Sequence, residues 1–272
     1  MIVHTVHKVL ALFWRDLAVA RSYRTLFVME AAEALLSVAS CYYLSQFVQS
    51  EELSRALPAG KDYFAFALVG LAFFDYLSVS VITFERSLRE ERQNGTLEAL
   101  LATQTSLPTI LAGSAIYPFV LMALRTLIYL AWAVLVFDFP VAAANWLGLL
   151  LVLACSVLAF AGLGVISASY SLVFKGTNPT KWVVIGLSGL LGGTLYPVSV
   201  LPEPLQAVAR LIPVSYSLEA MRAALLEGAS SGLLWPAIRA LLLFAVVLLP
   251  LSLAVFAWSL RRTKIIGTLT HF

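Results

Sequence analysis

Hydrophobic and polar positions segregate along this chain in long blocks, not residue by residue. Apolar runs cover residues 25–48, 62–84, 107–137, 146–173, 182–201 and 234–260, with short polar stretches between them. A helix needs ~20 predominantly apolar residues to cross ~30 Å of hydrocarbon, and each run reaches that length. The pattern predicts six transmembrane helices. A membrane β-barrel would alternate polar and apolar residues at period two, which these runs do not do. The expected fold class is an all-α polytopic membrane protein.

Three segments outside the runs carry their own patterns. Residues 4–22 place Val6, Val9, Leu10, Phe13, Leu17 and Ala20 on one helical face, with His4, His7, Lys8 and Arg15 on the other. Such a helix is expected to lie in the headgroup region, its basic face towards water. Arg15, Arg21 and Arg24 set it apart from the first span. Residues 85–104, ERSLREERQNGTLEALLATQ, form the densest cluster of charge in the chain. They read as a charged helix, a break at Asn94-Gly95, and a short helix with Leu97, Leu100 and Leu101 on one face. Gly95 permits a backbone reversal, Thr96 is placed to cap the helix that follows, and Glu98 suits that helix's first turn. The shape suggests a docking surface. Residues 202–233 are too few for two crossings. Leu205, Val208, Leu211 and Ile212 share a face there. A second short helix is expected after Pro213, with a Glu219–Arg222 pair at i,i+3 and a stop at Gly228. Both are expected to dip into the outer leaflet or lie on it.

Composition agrees with this reading and adds an orientation. Of 272 residues 61% are hydrophobic and 12% charged, with mean hydropathy +0.91, against about 25% charged in a soluble domain. With six spans and a cytoplasmic N-terminus, the inside segments hold Lys8, Arg15, Arg21, Arg24, Arg86, Arg89, Arg92, Lys175, Lys181, Arg261, Arg262 and Lys264. The outside holds Arg55, Lys61, Arg210, Arg222 and Arg239, and Arg125 lies within a span. That bias places both termini in the cytoplasm. Cys41 and Cys155 sit in apolar runs without partners at metal or redox spacing. His4, His7 and His271 lie near the ends, and no chemistry is assigned to them. No secretory signal is expected, since the first long apolar run starts near Leu26. No GxxxxGK[ST] loop is present to cradle a nucleotide's phosphates. Asn94-Gly95-Thr96 matches a glycosylation acceptor, but the topology puts it in the cytoplasm, so the match reads as accidental.

Two passages resemble a known family. Glu91-Arg92-Gln93-Asn94-Gly95-Thr96-Leu97-Glu98-Ala99-Leu100-Leu101 looks like the ERxxGTLExLL loop of ABC-2 type permeases, the membrane subunits of one class of ATP-binding cassette exporters. Leu195-Tyr196-Pro197-Val198-Ser199-Val200-Leu201-Pro202, followed by Ile212-Pro213-Val214-Ser215-Tyr216-Ser217-Leu218-Glu219-Ala220-Met221-Arg222, resembles the family's second signature. The resemblance implies one transmembrane domain over residues 1–272 in the cell inner (cytoplasmic) membrane. It also implies a homodimer or close heterodimer with a path at its axis. Two copies of a separate cytoplasmic ATPase subunit would bind ATP and Mg, with no cofactor on this chain and no nucleic-acid partner. On the same basis Glu91, Arg92, Gly95, Thr96, Leu97, Glu98, Leu100 and Leu101 would form a coupling helix against the ATPase. Tyr196, Pro197, Pro202, Pro213, Tyr216, Glu219 and Arg222 would belong to external helices shaping an exit gate. The implied substrate is amphipathic or polymeric: a lipid-linked glycan, a glycolipid or a hydrophobic drug.

Charged residues inside spans are costly and face protein or water. Glu30 and Glu33 fall in the first run, Asp75 in the second and Arg125 in the third. Arg125 either pairs with Asp75 or Glu33, or these groups face an aqueous vestibule unpaired. A competing function uses the intramembrane carboxylates in a lipid-modifying enzyme that needs no ATPase. Tyr42, Tyr43, Phe47, Tyr63, Phe64 and Phe66 read as an interfacial aromatic belt. Gly186, Gly189 and Gly193 read as a small-residue stripe for close packing of helices or protomers.

Overall fold

The computed structural model describes residues 2–21, 24–47, 62–96, 107–139, 144–174 and 179–266. The described residues are helical, without a strand: α1 (Ile2–Arg21), α2 (Arg24–Phe47), α3 (Tyr63–Gln93), α4 (Leu107–Phe137), α5 (Trp146–Val173), α6 (Pro179–Leu191), α7 (Glu203–Ala209), α8 (Pro213–Leu226) and α9 (Ser231–Ile266). A single 3-10 turn, Val198–Val200, precedes α7. Four stretches among the described residues are long and apolar enough to cross a membrane: Tyr63–Gln93, Thr109–Phe137, Trp146–Val173 and Ser231–Thr263.

The core is built around α3. Of its most apolar window 67% is buried, against 28% for α4 and 22% for α9, so α3 is the helix the others enclose. It packs on α4 and α5, and α5 in turn lies along α9. Small residues allow the close approach. A Cβ on Gly164 of α5 would stand 2.5 Å from the Ser80 carbonyl and 2.8 Å from the Phe84 ring, both on α3. Buried hydroxyls satisfy themselves on their own helices: Ser80 donates to the Tyr76 carbonyl (3.2 Å), Ser156 to Val152 (2.7 Å) and Ser169 to Val165 (2.7 Å). Bonding back one turn hides the polar group without a partner helix.

The amphipathic helix α1 packs on α4, with Leu12 against Gly113 and the Phe13 and Tyr117 rings 6.4 Å apart. Leu10 and Trp14 stay exposed, while Phe13 and Leu17 are half-buried. The side chains of His4, Val6, Lys8 and Ala20 lie outside the described residues, as does His271.

Three expectations change here, and one holds. The run 182–201 is not one helix. α6 has 13 residues, about 20 Å at 1.5 Å per residue, because Gly193 turns the chain with φ +78. As expected, the charged residues 85–92 extend the second run, and Tyr63–Gln93 is a single helix of 31 residues. The aromatic belt is partly internal: Tyr42 meets Phe64 (5.5 Å) and Phe137 (4.7 Å), and Phe64 and Phe66 are buried, while Tyr43 and Phe47 are exposed. Of the glycine stripe, Gly189 lies on Phe74, Gly193 makes the turn, and Gly186 faces open space.

Substituting Gly164→Val should separate α3 from α5 and cost about 1–3 kcal/mol, read as a lower unfolding temperature in detergent. Gly186→Ala, with open space around it, should leave that temperature unchanged.

Candidate functional site

Polar groups gather at three levels along α3. At its charged end the helix runs out to Gln93 and the chain reverses at Gly95, φ +69, a conformation that favours glycine. Glu91 is the hub. It accepts a hydrogen bond and ion pair from Arg15 of α1 at 2.8 Å, and its carboxylate takes the Thr96 hydroxyl. The Thr96 amide donates to the Glu91 carbonyl at 3.0 Å. Thr96 therefore closes back on α3; the helix it is expected to cap lies outside the described residues. Burial works against the Arg15 charge, but the bonds to Glu91 and Asp16 outweigh it and hold its pKa above the usual arginine value. Arg92 is half-buried, with Nε and Nη2 lacking a partner among the described residues. Leu97, Glu98, Leu100 and Leu101 lie outside the described residues.

Nearly two turns further in, buried Glu85 takes Arg89 at 2.9 Å and Lys181 of α6 at 3.4 Å. No sequence pattern singles out that pair, because the partners are 96 positions apart.

At mid-length, Arg125 of α4 donates to Glu33 of α2 at 2.7 Å. It also donates to the Tyr129 hydroxyl at 3.2 Å, and Tyr129 donates to Asp75 of α3 at 3.2 Å. The result is a relay across three helices, Glu33–Arg125–Tyr129–Asp75. Both pairings open from the sequence are used, one directly and one through a hydroxyl. Tyr129 is 1% exposed and was not among the expected site residues. Its position one turn after Arg125 is the signal that could have found it. Glu30 makes no ion pair among the described residues.

The third level lies at the end of α3 opposite Glu91. Arg222 of α8 donates from Nε to the Phe66 carbonyl (3.2 Å), from Nη1 to Gly193 (2.7 Å) and from Nη2 to Thr194 (2.7 Å). Its guanidinium lies 3.5 Å over the Phe66 ring. Gly70 makes the room: a Cβ there would run into the Thr194 carbonyl and Arg222 Nη2. The expected Glu219–Arg222 pair is replaced by this cradle, and Glu219 is exposed. A carbonyl set at a helix end satisfies a buried guanidinium's fork of donors better than one exposed carboxylate.

The remaining residues of this level fold the segment on itself. Tyr196 donates its hydroxyl to the Leu190 carbonyl. Pro197 precedes the 3-10 turn and Pro202 caps α7, its carbonyl accepting from Leu205 and Gln206. Pro213 opens α8, and Tyr216 donates to Arg210 O at 3.1 Å. α8 packs on α5, α3 and α9 and buries ten of its fourteen residues. It is a buried helix of the bundle. Asn145 caps α5 and holds the far end of α8, its amide group donating to Ala229 O at 2.7 Å.

The family model described as ABC-2 type transporter matches residues 7–226, a stretch that contains both signature passages. The chain is also similar to curated proteins named Nodulation protein J. The one from Neorhizobium galegae is 27% identical over 177 residues, 61% of this chain and 63% of that protein. The one from Rhizobium meliloti is 27% identical over 173 residues, 60% of this chain and 62% of that protein. The one from Bradyrhizobium diazoefficiens is 26% identical over 212 residues, 75% of this chain and 77% of that protein. The chain thus spans less than two thirds of the length of the first two.

Exchanging charges as Glu33→Arg with Arg125→Glu should recover membrane expression lost in either single change. Asp75→Arg with Arg125→Asp should recover less, because Tyr129 stands between those groups. Equal rescue by both exchanges would remove the relay geometry. Arg222→Met leaves three carbonyls without their donor and should cost about 3 kcal/mol or more, seen as loss of monodisperse protein on gel filtration.

Proposed function

The chain belongs to the ABC-2 type transporter family, and we propose that it is the permease subunit of an ABC exporter powered by a separate ATPase. The observation that carries this reading is the family match over residues 7–226, with the ERxxGTLExLL-like passage placed where α3 ends and turns at Gly95. Two ATPase subunits would bind ATP and Mg and dock at residues 96–103. Glu91, Arg92, Gly95 and Thr96 would hold that docking segment at the end of α3. Arg15 would brace the same turn from α1.

In this reading the chain crosses the inner membrane six times with both termini cytoplasmic. α2 and the segment 179–201 supply the first and fifth crossings beside the four long apolar helices. Two protomers, most simply identical, enclose a path at their common axis. Residues 202–233 shape the exit, with Tyr196, Pro197, Pro202, Pro213, Tyr216, Glu219 and Arg222 setting its form. The substrate is amphipathic or polymeric: a lipid-linked glycan, a glycolipid or a hydrophobic drug. The lipid-modifying alternative gains no support from the carboxylates, since Glu33 and Asp75 are both engaged by the relay.

Co-expression with the ATPase from a neighbouring reading frame should yield a complex that hydrolyses ATP, with a rate raised by the transported substrate. Replacing Leu97, Leu100 and Leu101 together by Ala should abolish co-purification while leaving the permease folded. Retention of the ATPase by that variant would show that docking lies elsewhere.

A further inference from the structure

The short helix α6 is thinly held by packing. Of its described side chains only Ser188 and Leu191 are buried, while Trp182, Val183, Leu187 and Leu190 are exposed. It runs antiparallel to α3: Lys181 meets Glu85, Gly189 lies on Phe74, and Thr194 sits over Gly70. Its polar ties to α3 stand at its two ends, with the Gly189–Phe74 contact between them. At the first turn Lys181 reaches Glu85 at 3.4 Å. Just past the last turn, Arg222 bridges the Gly193 and Thr194 carbonyls to the Phe66 carbonyl of α3. The helix dipole favours this arrangement, with a carboxylate near the positive N-terminus and a guanidinium at the negative C-terminus.

The two clasps differ in what release would cost. Glu85 is 1% exposed, but Arg89 holds the same oxygen, Oε1, at 2.9 Å. Lys181 can therefore leave without stranding a buried carboxylate, and its side chain, 22% exposed, already reaches towards water. Among the described residues Glu85 Oε2 has no hydrogen-bond partner, so the site can also hold Lys181 more closely than it does. Arg222 lacks such freedom. It is 7% exposed, and withdrawing it would leave a buried cation and three carbonyls unpaired.

We propose that α6 pivots on the Arg222 clasp, and that Lys181–Glu85 is the releasable latch holding its other end against α3. The proposal rests on the permease reading for its purpose, since such a pivot would open the bundle on the side of the coupling turn. The latch itself is a property of this chain alone.

The test uses the full-length chain in lipid nanodiscs, with Cys41 and Cys155 replaced by Ser and no ATPase present. Nitroxide pairs at Arg86→Cys with Val183→Cys and at Asp62→Cys with Leu190→Cys report the latch end and the clasp end of α6 by pulsed EPR. Lys181→Met should add a longer-distance population at the first pair and none at the second, and Lys181→Arg should keep the original distance. Glu85→Gln, which preserves side-chain shape, should act like Lys181→Met and serves if that variant folds poorly. An unchanged first pair in both variants overturns the latch, and equal change at both pairs overturns the pivot. Failure to find an ATPase partner would leave these distances untouched, so it bears on the permease reading alone.

Discussion

A guanidinium buried among backbone carbonyls is the contact on which the part of this protein around α6 and α8 depends. Within the apolar interior of a membrane protein each polar group must find its partner in the protein, because water is absent. Arg222 finds three carbonyls, one on α3 and two just beyond α6, and its own helix, α8, is thereby fixed to both. The contact demands space and a turn. Gly70 supplies the space, and Gly193, at positive φ, ends α6 so that its last carbonyls face inward. The segment that follows can then fold back as α7 and α8, and Asn145 holds the far end.

The same rule organises the other levels. Arg125 cannot stand alone at mid-length of α4, so it reaches Glu33 on one side and, through Tyr129, Asp75 on the other. Three helices are thereby registered by four side chains. Hydroxyls on α3 and α5 are hidden by bonding to their own turns. At the charged end Glu91 gathers Arg15 and Thr96, linking the amphipathic helix α1 to the turn at Gly95. α3 carries one member of each set, which is why it is the most buried of the long apolar helices.

Period and length made most of the helices legible. The runs at 107–137 and 146–173 coincide with α4 and α5, and the family resemblance carried by residues 91–101 and 195–222 agrees with the matched family. The candidate sites were legible in part. Glu33, Asp75 and Arg125 stood out as charges in apolar runs, but which oxygen Arg125 takes depends on how α2 and α3 rotate against α4. Tyr129 carries no charge and so gave no comparable signal. The Glu219–Arg222 spacing pointed to a local pair, yet Arg222 turned to carbonyls distant in sequence because α8 is buried against α3 and not spread on a surface.

By itself the sequence determined the helical class, the order and approximate ends of the long apolar helices, the reversal at Gly95 and the family, because these depend on hydropathy, spacing and local backbone preference. Only the tertiary structure decided that α6 stops at Leu191, that α8 belongs to the core, and that Glu85 meets Lys181 while Arg222 meets Phe66, Gly193 and Thr194. Those outcomes turn on where buried polar groups find partners. Such partners are set by the distance between helices in space, which neighbouring residues in the chain do not encode.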